Sequence, residues 1–176
     1  MARVRRTPTW LVRAVQADAL LGVVVSAYAL YVETQLRESP LYEPACNSFG
    51  GSCATVLTSS HAHILSHWGI VPRGHVLDLS LATAGILLYS TYLLAISIPF
   101  SFPLREHLFL AAAVSGACFS VYLLYVIKYI LHDFCIVCTS FHVCNFFMLV
   151  LAILEFRQPS VPWPRKAPVG SVKKQD

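Results

Sequence analysis

The chain contains six cysteines, and two of them, Cys135 and Cys138, form a Cys-x-x-Cys pair. The pair stands at the beginning of a long apolar run, where a water-facing segment is expected to become a membrane helix. Residues three apart in a helix share one face, so these two thiols can close into a disulfide with little movement of the backbone. A pair of this kind is typical of redox or metal chemistry.

A second pair, Cys46 and Cys53, lies in a polar segment with two glycines, Gly50 and Gly51, between the thiols. Because glycine permits a sharp turn, the chain can fold back and bring the two sulfurs together. A dithiol on a loop that can swing and a dithiol fixed on a helix suit thiol–disulfide exchange, in which a thiolate attacks a disulfide.

A metal centre is not expected, although the same segment contains four histidines. Their spacing gives no clean pairing with the two thiols as zinc ligands. The four are His61, His63, His67 and His75.

A polar stripe follows Cys135 and Cys138 into the apolar run. At about 100° per residue, His142 and Asn145 fall on the same helix face as the two cysteines. Unpaired polar groups are costly in contact with lipid, so this face should line a cavity. An electron acceptor in such a cavity would be lipid-soluble and able to take two electrons, which indicates a quinone-like molecule. Asp133 is expected to cap the helix.

The composition predicts an integral membrane protein, because 56% of the 176 residues are hydrophobic and only 12% are charged, against about 25% charged in soluble proteins. Four apolar runs are each long enough to cross a bilayer. We therefore expect an all-α, four-helix membrane bundle that forms a single domain over residues 1–176, with a loop over about 33–78 that carries the redox pair Cys46 and Cys53. The expected helices cover about 10–32, 79–100, 108–131 and 134–156, and a tail covers 157–176.

The distribution of positive charge predicts the orientation of the bundle. Ten of the 13 Lys and Arg residues fall on the side that holds both termini, which the positive-inside rule places in the cytosol. The loop is then lumenal, and the net charge of +4 gives no reason to expect a nucleic-acid partner. Lys173 and Lys174 resemble a dilysine retrieval signal, which predicts the endoplasmic reticulum membrane.

Taken together, these features resemble the vitamin K epoxide reductase family, and the resemblance extends from about Trp10 to Phe156. It rests on an ordered set of features, since a single Cys-x-x-Cys is a weak signal. The set consists of four spans, the loop pair Cys46 and Cys53, Ser26-Ala27-Tyr28-Ala29, Ser59, and Phe134-Cys135-Ile136-Val137-Cys138.

The resemblance implies a role for each of four cysteines. Cys138 would be the thiolate nearest the substrate, and Cys135 would receive electrons from the loop. Cys53 would attack the helix pair at Cys135. Cys46 would be the partner of Cys53 and the contact for an external thioredoxin-like protein.

The resemblance also implies the reaction. The family reduces vitamin K 2,3-epoxide to the quinone and the quinone to the hydroquinone, which supports vitamin K-dependent carboxylation. Dithiols supply the electrons, no cofactor is permanently bound, and coumarin anticoagulants such as warfarin block the pocket.

The chain departs from the vertebrate pattern at three places. Six residues separate Cys46 from Cys53, one fewer than expected. A Thr-Tyr pair that binds substrate is replaced by Phe141 and His142, and a histidine can still donate a hydrogen bond to a substrate oxygen. A substrate-binding asparagine has no clear counterpart at the start of the second helix. The expected substrate-binding residues are therefore His142, Asn145, Phe141, Ser59, Ser80, Leu81 and Asp78.

Two other functions are compatible with the same residues. In the first, the protein couples quinone reduction to the formation of disulfides in lumenal proteins. In the second, it is a non-enzymatic four-helix membrane protein in which Cys46 and Cys53 form a structural disulfide.

Overall fold

The computed structural model describes residues 3–5, 7–39, 41–49, 51–72, 75, 77–97, 105–158 and 160–162. Four long helices dominate it: α1 (Thr9–Glu38), α4 (Leu81–Ser97), α5 (Arg105–Tyr125) and α6 (Ile136–Phe156). Two short helices, α2 (Cys53–Leu57) and α3 (Ile64–His67), and the 3₁₀ turns Ala45–Phe49 and Ser60–Ala62 lie between α1 and α4. The strands β1 (Arg3–Arg5) and β2 (Ser160–Pro162) pair antiparallel.

The predicted membrane helical bundle is confirmed, although its helix boundaries differ from those expected. Among the described residues, α1, α6 and α5 with its π-helical extension Val126–Ile130 are long and apolar enough to cross a membrane. The helix α4 is shorter, with 17 residues, and is therefore about 25 Å long, near the lower limit for a span. The end predicted for it, at residues 98–100, lies outside the described residues, as does most of the predicted tail.

The first helix is longer than predicted, because α1 continues to Glu38 and was expected to end near residue 32. Its last turns contain an ion pair between Glu33 and Arg37, with a separation of 2.6 Å. Opposite charges four residues apart support helix formation. The consequence is that Glu33, placed by the prediction in the loop, belongs to the bundle.

Helix packing produces two separate apolar cores. The helix α1 packs against α4 and α6, and α5 packs against α6. One core lies at the end of the bundle that holds Cys53 and Cys135, which we call the cysteine end. The other core surrounds Tyr89, Cys144 and Met148. Each core buries side chains from several helices, so the helices hold one another in place.

A buried polar network that begins at Tyr89, in the second core, joins three of the helices. The Tyr89 hydroxyl donates to Asn145 Oδ1 at 2.8 Å, and Asn145 Nδ2 donates to the Ser120 hydroxyl at 2.8 Å. Because polar groups buried in a membrane bundle need internal partners, these bonds connect α4, α6 and α5 in one register. Tyr89 is 0% exposed, so its ring has little freedom to move.

We expect Gly22→Ala to destabilise the bundle, because a Cβ at residue 22 would lie 2.5 Å from the Tyr89 ring. Overpacking of this kind costs about 1–3 kcal/mol. Thermal unfolding of the purified protein in detergent measures the effect as a lower midpoint. Gly116→Ala is the matched control, since its Cβ would lie 3.6 Å from the nearest side-chain atom of Asn145. Equal midpoints for the two variants would contradict the close packing of α1 on α4.

Candidate functional site

All four cysteines singled out from the sequence come together at the cysteine end. Cys46 and Cys53 form a disulfide, and their Cα atoms are 6.2 Å apart. Cys135 and Cys138 have free thiols. The Sγ atoms of Cys53 and Cys135 lie 3.6 Å apart, so one sulfur of the disulfide directly faces a thiol of the Cys-x-x-Cys pair. The chain therefore brings both pairs within reach of thiol–disulfide exchange.

Local hydrogen bonds hold Cys53 in this position. Its backbone N–H donates to Asn47 Oδ1 at 2.9 Å, and Ser52 caps α2 by accepting from the Thr55 N–H at 3.1 Å. Cys46 and Cys53 are 5% and 0% exposed. The segment that the sequence suggested as a swinging loop is therefore folded into short helical turns in this state.

The prediction that Asp133 caps the last helix is wrong. Cys135 is the N-cap of α6, and its Sγ accepts the Cys138 N–H at 3.2 Å. Asp133 instead accepts a hydrogen bond from the Ser52 N–H at 3.0 Å. This bond connects the loop to the segment that joins α5 to α6. Gly51 is required beside this contact, since a Cβ there would collide with the Phe134 carbonyl. Gly50 lies outside the described residues.

The position of Cys135 at a helix N-terminus has a chemical consequence. Unpaired N–H groups and the positive end of the helix dipole stabilise negative charge, and they favour a thiolate over a thiol. The Cys135 sulfur is 0% exposed and lies between the disulfide and the first turn of α6. This sulfur is therefore well placed to form a mixed disulfide with Cys53.

An apolar cavity opens beside Cys138. The volume that the centre of a water-sized molecule can occupy inside it is about 70 Å³. Side chains from α1, α2, α4, α5 and α6 line it. The predicted site residues that line the cavity are Cys138, Phe141, His142, Ser59 and Leu81.

Two buried polar side chains face this cavity with unused hydrogen-bonding capacity. Among the described residues, neither ring nitrogen of His142 has a hydrogen-bond partner, and the same is true of the Ser26 hydroxyl. His142 is 3% exposed and Ser26 is 1% exposed. Buried polar atoms are almost always hydrogen-bonded, so these atoms are available to bind a polar group of a ligand.

Three of the predicted substrate-binding residues lie outside the cavity lining. Asn145 is held in the network with Tyr89 and Ser120. Ser80 accepts a hydrogen bond from the Thr83 N–H at 3.3 Å at the start of α4. Asp78 lies in a separate charged cleft, where its carboxylate is 3.4 Å from His63 Nδ1.

Sequence reasoning missed three polar residues that line the cavity, namely Ser26, Glu33 and His61. Ser26 belongs to the Ser-Ala-Tyr-Ala run that carried part of the resemblance, yet no role was assigned to it. Glu33 was placed in the loop, although the spacing to Arg37 could have indicated a longer helix. Among the described residues, no group of three or more His, Cys, Asp or Glu side chains could hold a metal ion.

The fold and the site define a helical membrane protein with two adjacent cysteine pairs. A comparison with protein families then identifies it more closely, because the model of the vitamin K epoxide reductase family matches residues 14–153. The chain belongs to this family. It is thus a membrane-bound oxidoreductase with a redox cysteine pair and a quinone-type substrate.

We expect Cys53 and Cys135 to form a disulfide in the double variant Cys46→Ser, Cys138→Ser, because their sulfurs already lie 3.6 Å apart and each has lost its other partner. Mass spectrometry of unreduced peptides after mild oxidation and alkylation would detect the cross-link. The control variant Cys46→Ser, Cys135→Ser leaves Cys53 with Cys138 and should cross-link much less. Preferential pairing in the control would contradict the direct approach of Cys53 to Cys135.

Proposed function

We propose that this protein reduces vitamin K 2,3-epoxide to the quinone and the quinone to the hydroquinone, with electrons relayed from Cys46 and Cys53 to Cys135 and Cys138. The observation that supports the proposal most strongly is the 3.6 Å contact between the Cys53 and Cys135 sulfurs. A second observation complements it, since Cys138 lines the apolar cavity. The four sulfurs thus form a path from the loop to the cavity.

The relay begins with the loop pair reduced and the helix pair oxidised. The Cys53 thiolate attacks Cys135, the Cys135–Cys138 bond breaks, and Cys138 leaves as a thiolate. Cys46 then attacks Cys53 and releases Cys135, so two electrons have moved from the loop to the helix. The structure, with Cys46 and Cys53 paired and the other two thiols free, corresponds to the stage after this transfer.

The reduced helix pair would then act on the substrate. Oxidation of Cys135 and Cys138 to a disulfide releases two electrons and two protons. A quinone that takes them becomes a hydroquinone, and an epoxide that takes them becomes a quinone and a water molecule. Both half-reactions are balanced by one dithiol, which fits a site with a single helix pair.

His142 is proposed to orient the substrate. A neutral imidazole has one N–H donor, and His142 has no competing partner among the described residues. Its ring lines the cavity within one helical turn of Cys138, so it can donate to a carbonyl or epoxide oxygen while the sulfur reacts. The Phe141 ring lines the same cavity and packs edge-on against Tyr89, which gives the site a firm apolar wall.

The physiological setting is part of the same proposal. We place the cysteine end in the lumen of the endoplasmic reticulum and both termini in the cytosol, and we assign reduction of the Cys46–Cys53 disulfide to a thioredoxin-like protein. Because Cys46 is only 5% exposed in this state, such a partner requires movement of the segment around residues 41–49. Coumarin inhibitors would occupy the cavity beside Cys138.

A second function is favoured by one feature of the site. Where relatives of the vertebrate type have a tyrosine, this cavity has His142, and quinone reduction alone could then serve to form disulfides in lumenal proteins. The same sulfurs would carry electrons from client dithiols to the quinone. Turnover of the epoxide separates the two functions. Family membership and the contact between the two cysteine pairs argue against a purely structural disulfide.

We expect Cys138→Ser to lower both epoxide and quinone turnover by about 100-fold or more, since serine cannot replace a sulfur that is oxidised. Membranes that contain the full chain, supplied with vitamin K1 epoxide or quinone and dithiothreitol, provide the assay. Cys118→Ser is the control, because Cys118 is exposed on α5 outside the cavity lining. Retained turnover in Cys138→Ser would refute the relay.

We expect His142→Phe to lower kcat/KM by about fivefold to tenfold, which corresponds to the loss of one hydrogen bond of roughly 1 kcal/mol. His142→Tyr should retain most of the activity, because a phenol can also donate to the substrate oxygen. The epoxide and the quinone are assayed side by side with each variant. If His142→Phe matches the wild type on both substrates, His142 does not bind the reacting ring.

A further inference from the structure

A charged cleft lies next to the apolar cavity at the cysteine end. The volume that the centre of a water-sized molecule can occupy inside it is about 450 Å³. Its polar lining includes Glu33, Arg37, His63, His75 and Asp78. Three residues, Glu33, Leu57 and Ser59, line both the cleft and the cavity, and Glu33 is the one among them that ionises.

Hydrogen bonds connect the charged groups of the cleft in a row that ends at Glu33. His63 Nδ1 lies 3.4 Å from the Asp78 carboxylate and 3.2 Å from the Asp78 carbonyl oxygen. His63 Nε2 lies 3.2 Å from Glu33 Oε1. The imidazole thus bridges one carboxylate in the cleft and a second carboxylate, 4% exposed, that reaches the cavity.

His63 has hydrogen-bond partners in both of its protonation states. When His63 carries one proton on Nδ1, this nitrogen donates to Asp78, and Nε2 accepts from Arg37 at 2.8 Å. When His63 carries two protons, Nε2 donates to Glu33 instead. Since the imidazole has partners for both forms, it can pick up a proton from the cleft and release it towards Glu33.

The reaction proposed above needs such a supply of protons, and this inference rests on that function. Cys138 loses its thiol proton when it reacts as a thiolate, while the oxygen of the reduced ring must gain one inside an apolar cavity. No net proton is taken from solution, because the two protons that the dithiol loses equal the two that the hydroquinone gains. Each oxygen of the reduced ring must nevertheless gain a proton inside the cavity, and a path from the cleft can supply one of the two.

We propose that Asp78, His63 and Glu33 form a proton path from the charged cleft to the quinone cavity. The Glu33 carboxylate, once protonated by His63, donates that proton to one oxygen of the quinone as two electrons arrive from Cys135 and Cys138. The second proton of the hydroquinone comes from the dithiol, and the other dithiol proton returns to water. His63 returns a proton to Glu33, and it regains one from water in the cleft, with Asp78 holding the imidazole in place. Arg37 stabilises the Glu33 carboxylate between turnovers through its 2.6 Å ion pair.

The other titratable groups nearby are less suited to this role. His61 lines the cavity, but burial and the neighbouring His67 lower the pKa of His61. With a lowered pKa, the imidazole stays neutral down to a lower pH than usual, so it seldom carries the second proton that it would have to donate. His75 lines only the outer cleft, where its Nδ1 accepts the Leu77 N–H.

The test is a single-turnover measurement on the full-length protein, reduced in advance and mixed with vitamin K1 quinone. We expect Glu33→Gln to slow hydroquinone formation by about tenfold or more, in the range of general acid catalysis, with quinone affinity changed less than twofold. His63→Ala should slow the step similarly, and added imidazole should restore much of the rate. His75→Gln is the matched control and should stay within about twofold of the wild type.

The exchange between the cysteine pairs, followed by alkylation, shows whether the variants are intact, since it does not depend on the proton path. Rates for Glu33→Gln and His63→Ala within twofold of the wild type would overturn the proposal, as would a slowed His63→Ala variant that does not respond to imidazole. If the wild type itself forms no hydroquinone, the proposed function fails and the proton path falls with it. If the wild type forms hydroquinone and the variants form it at the same rate, the proposed function stands and the proton path alone fails.

Discussion

The contact between Cys53 and Cys135 is the interaction on which the rest of the site depends. Thiol–disulfide exchange needs two sulfurs in direct reach, and here they lie 3.6 Å apart on segments separated by more than 80 residues of chain. The bond from Ser52 to Asp133 and the close approach at Gly51 hold the two segments together. The bundle keeps α6 fixed while the loop brings its disulfide to the helix N-terminus.

The membrane explains how polar groups are distributed along α6. Asn145 and His142 stand on neighbouring turns of the same face, but Asn145 is fully engaged with Tyr89 and Ser120. His142 has no such partners among the described residues and faces the cavity. Because a buried polar group without a partner is costly, the first residue stabilises the fold and the second is available for a ligand. One stripe of polar residues therefore serves two purposes at different depths.

Sequence reasoning predicted the helical membrane bundle, the convergence of the two cysteine pairs, and a cavity below Cys138. Hydropathy, residue spacing and the resemblance to a family were sufficient for these points, because each depends on periodicity or on motif order. Helix spacing alone could not separate Asn145 from His142, since their partners come from α4 and α5. It also missed Glu33, because a charged residue after an apolar run indicates a helix end unless its ion pair with Arg37 is considered. The capping role of Cys135 depends on backbone angles, which the sequence does not give. The sequence instead favoured the nearby Asp133, because aspartate is a common N-cap residue.

The proposed relay requires that electrons reach the quinone only through Cys135 and Cys138. The most direct test is to mix the fully reduced protein with one equivalent of vitamin K1 quinone without oxygen, stop the reaction at intervals by rapid alkylation, and map the disulfides by mass spectrometry. With this relay, the Cys135–Cys138 disulfide forms first and the Cys46–Cys53 disulfide follows, and neither forms in Cys135→Ser. Formation of the Cys46–Cys53 disulfide in Cys135→Ser at the wild-type rate would contradict it.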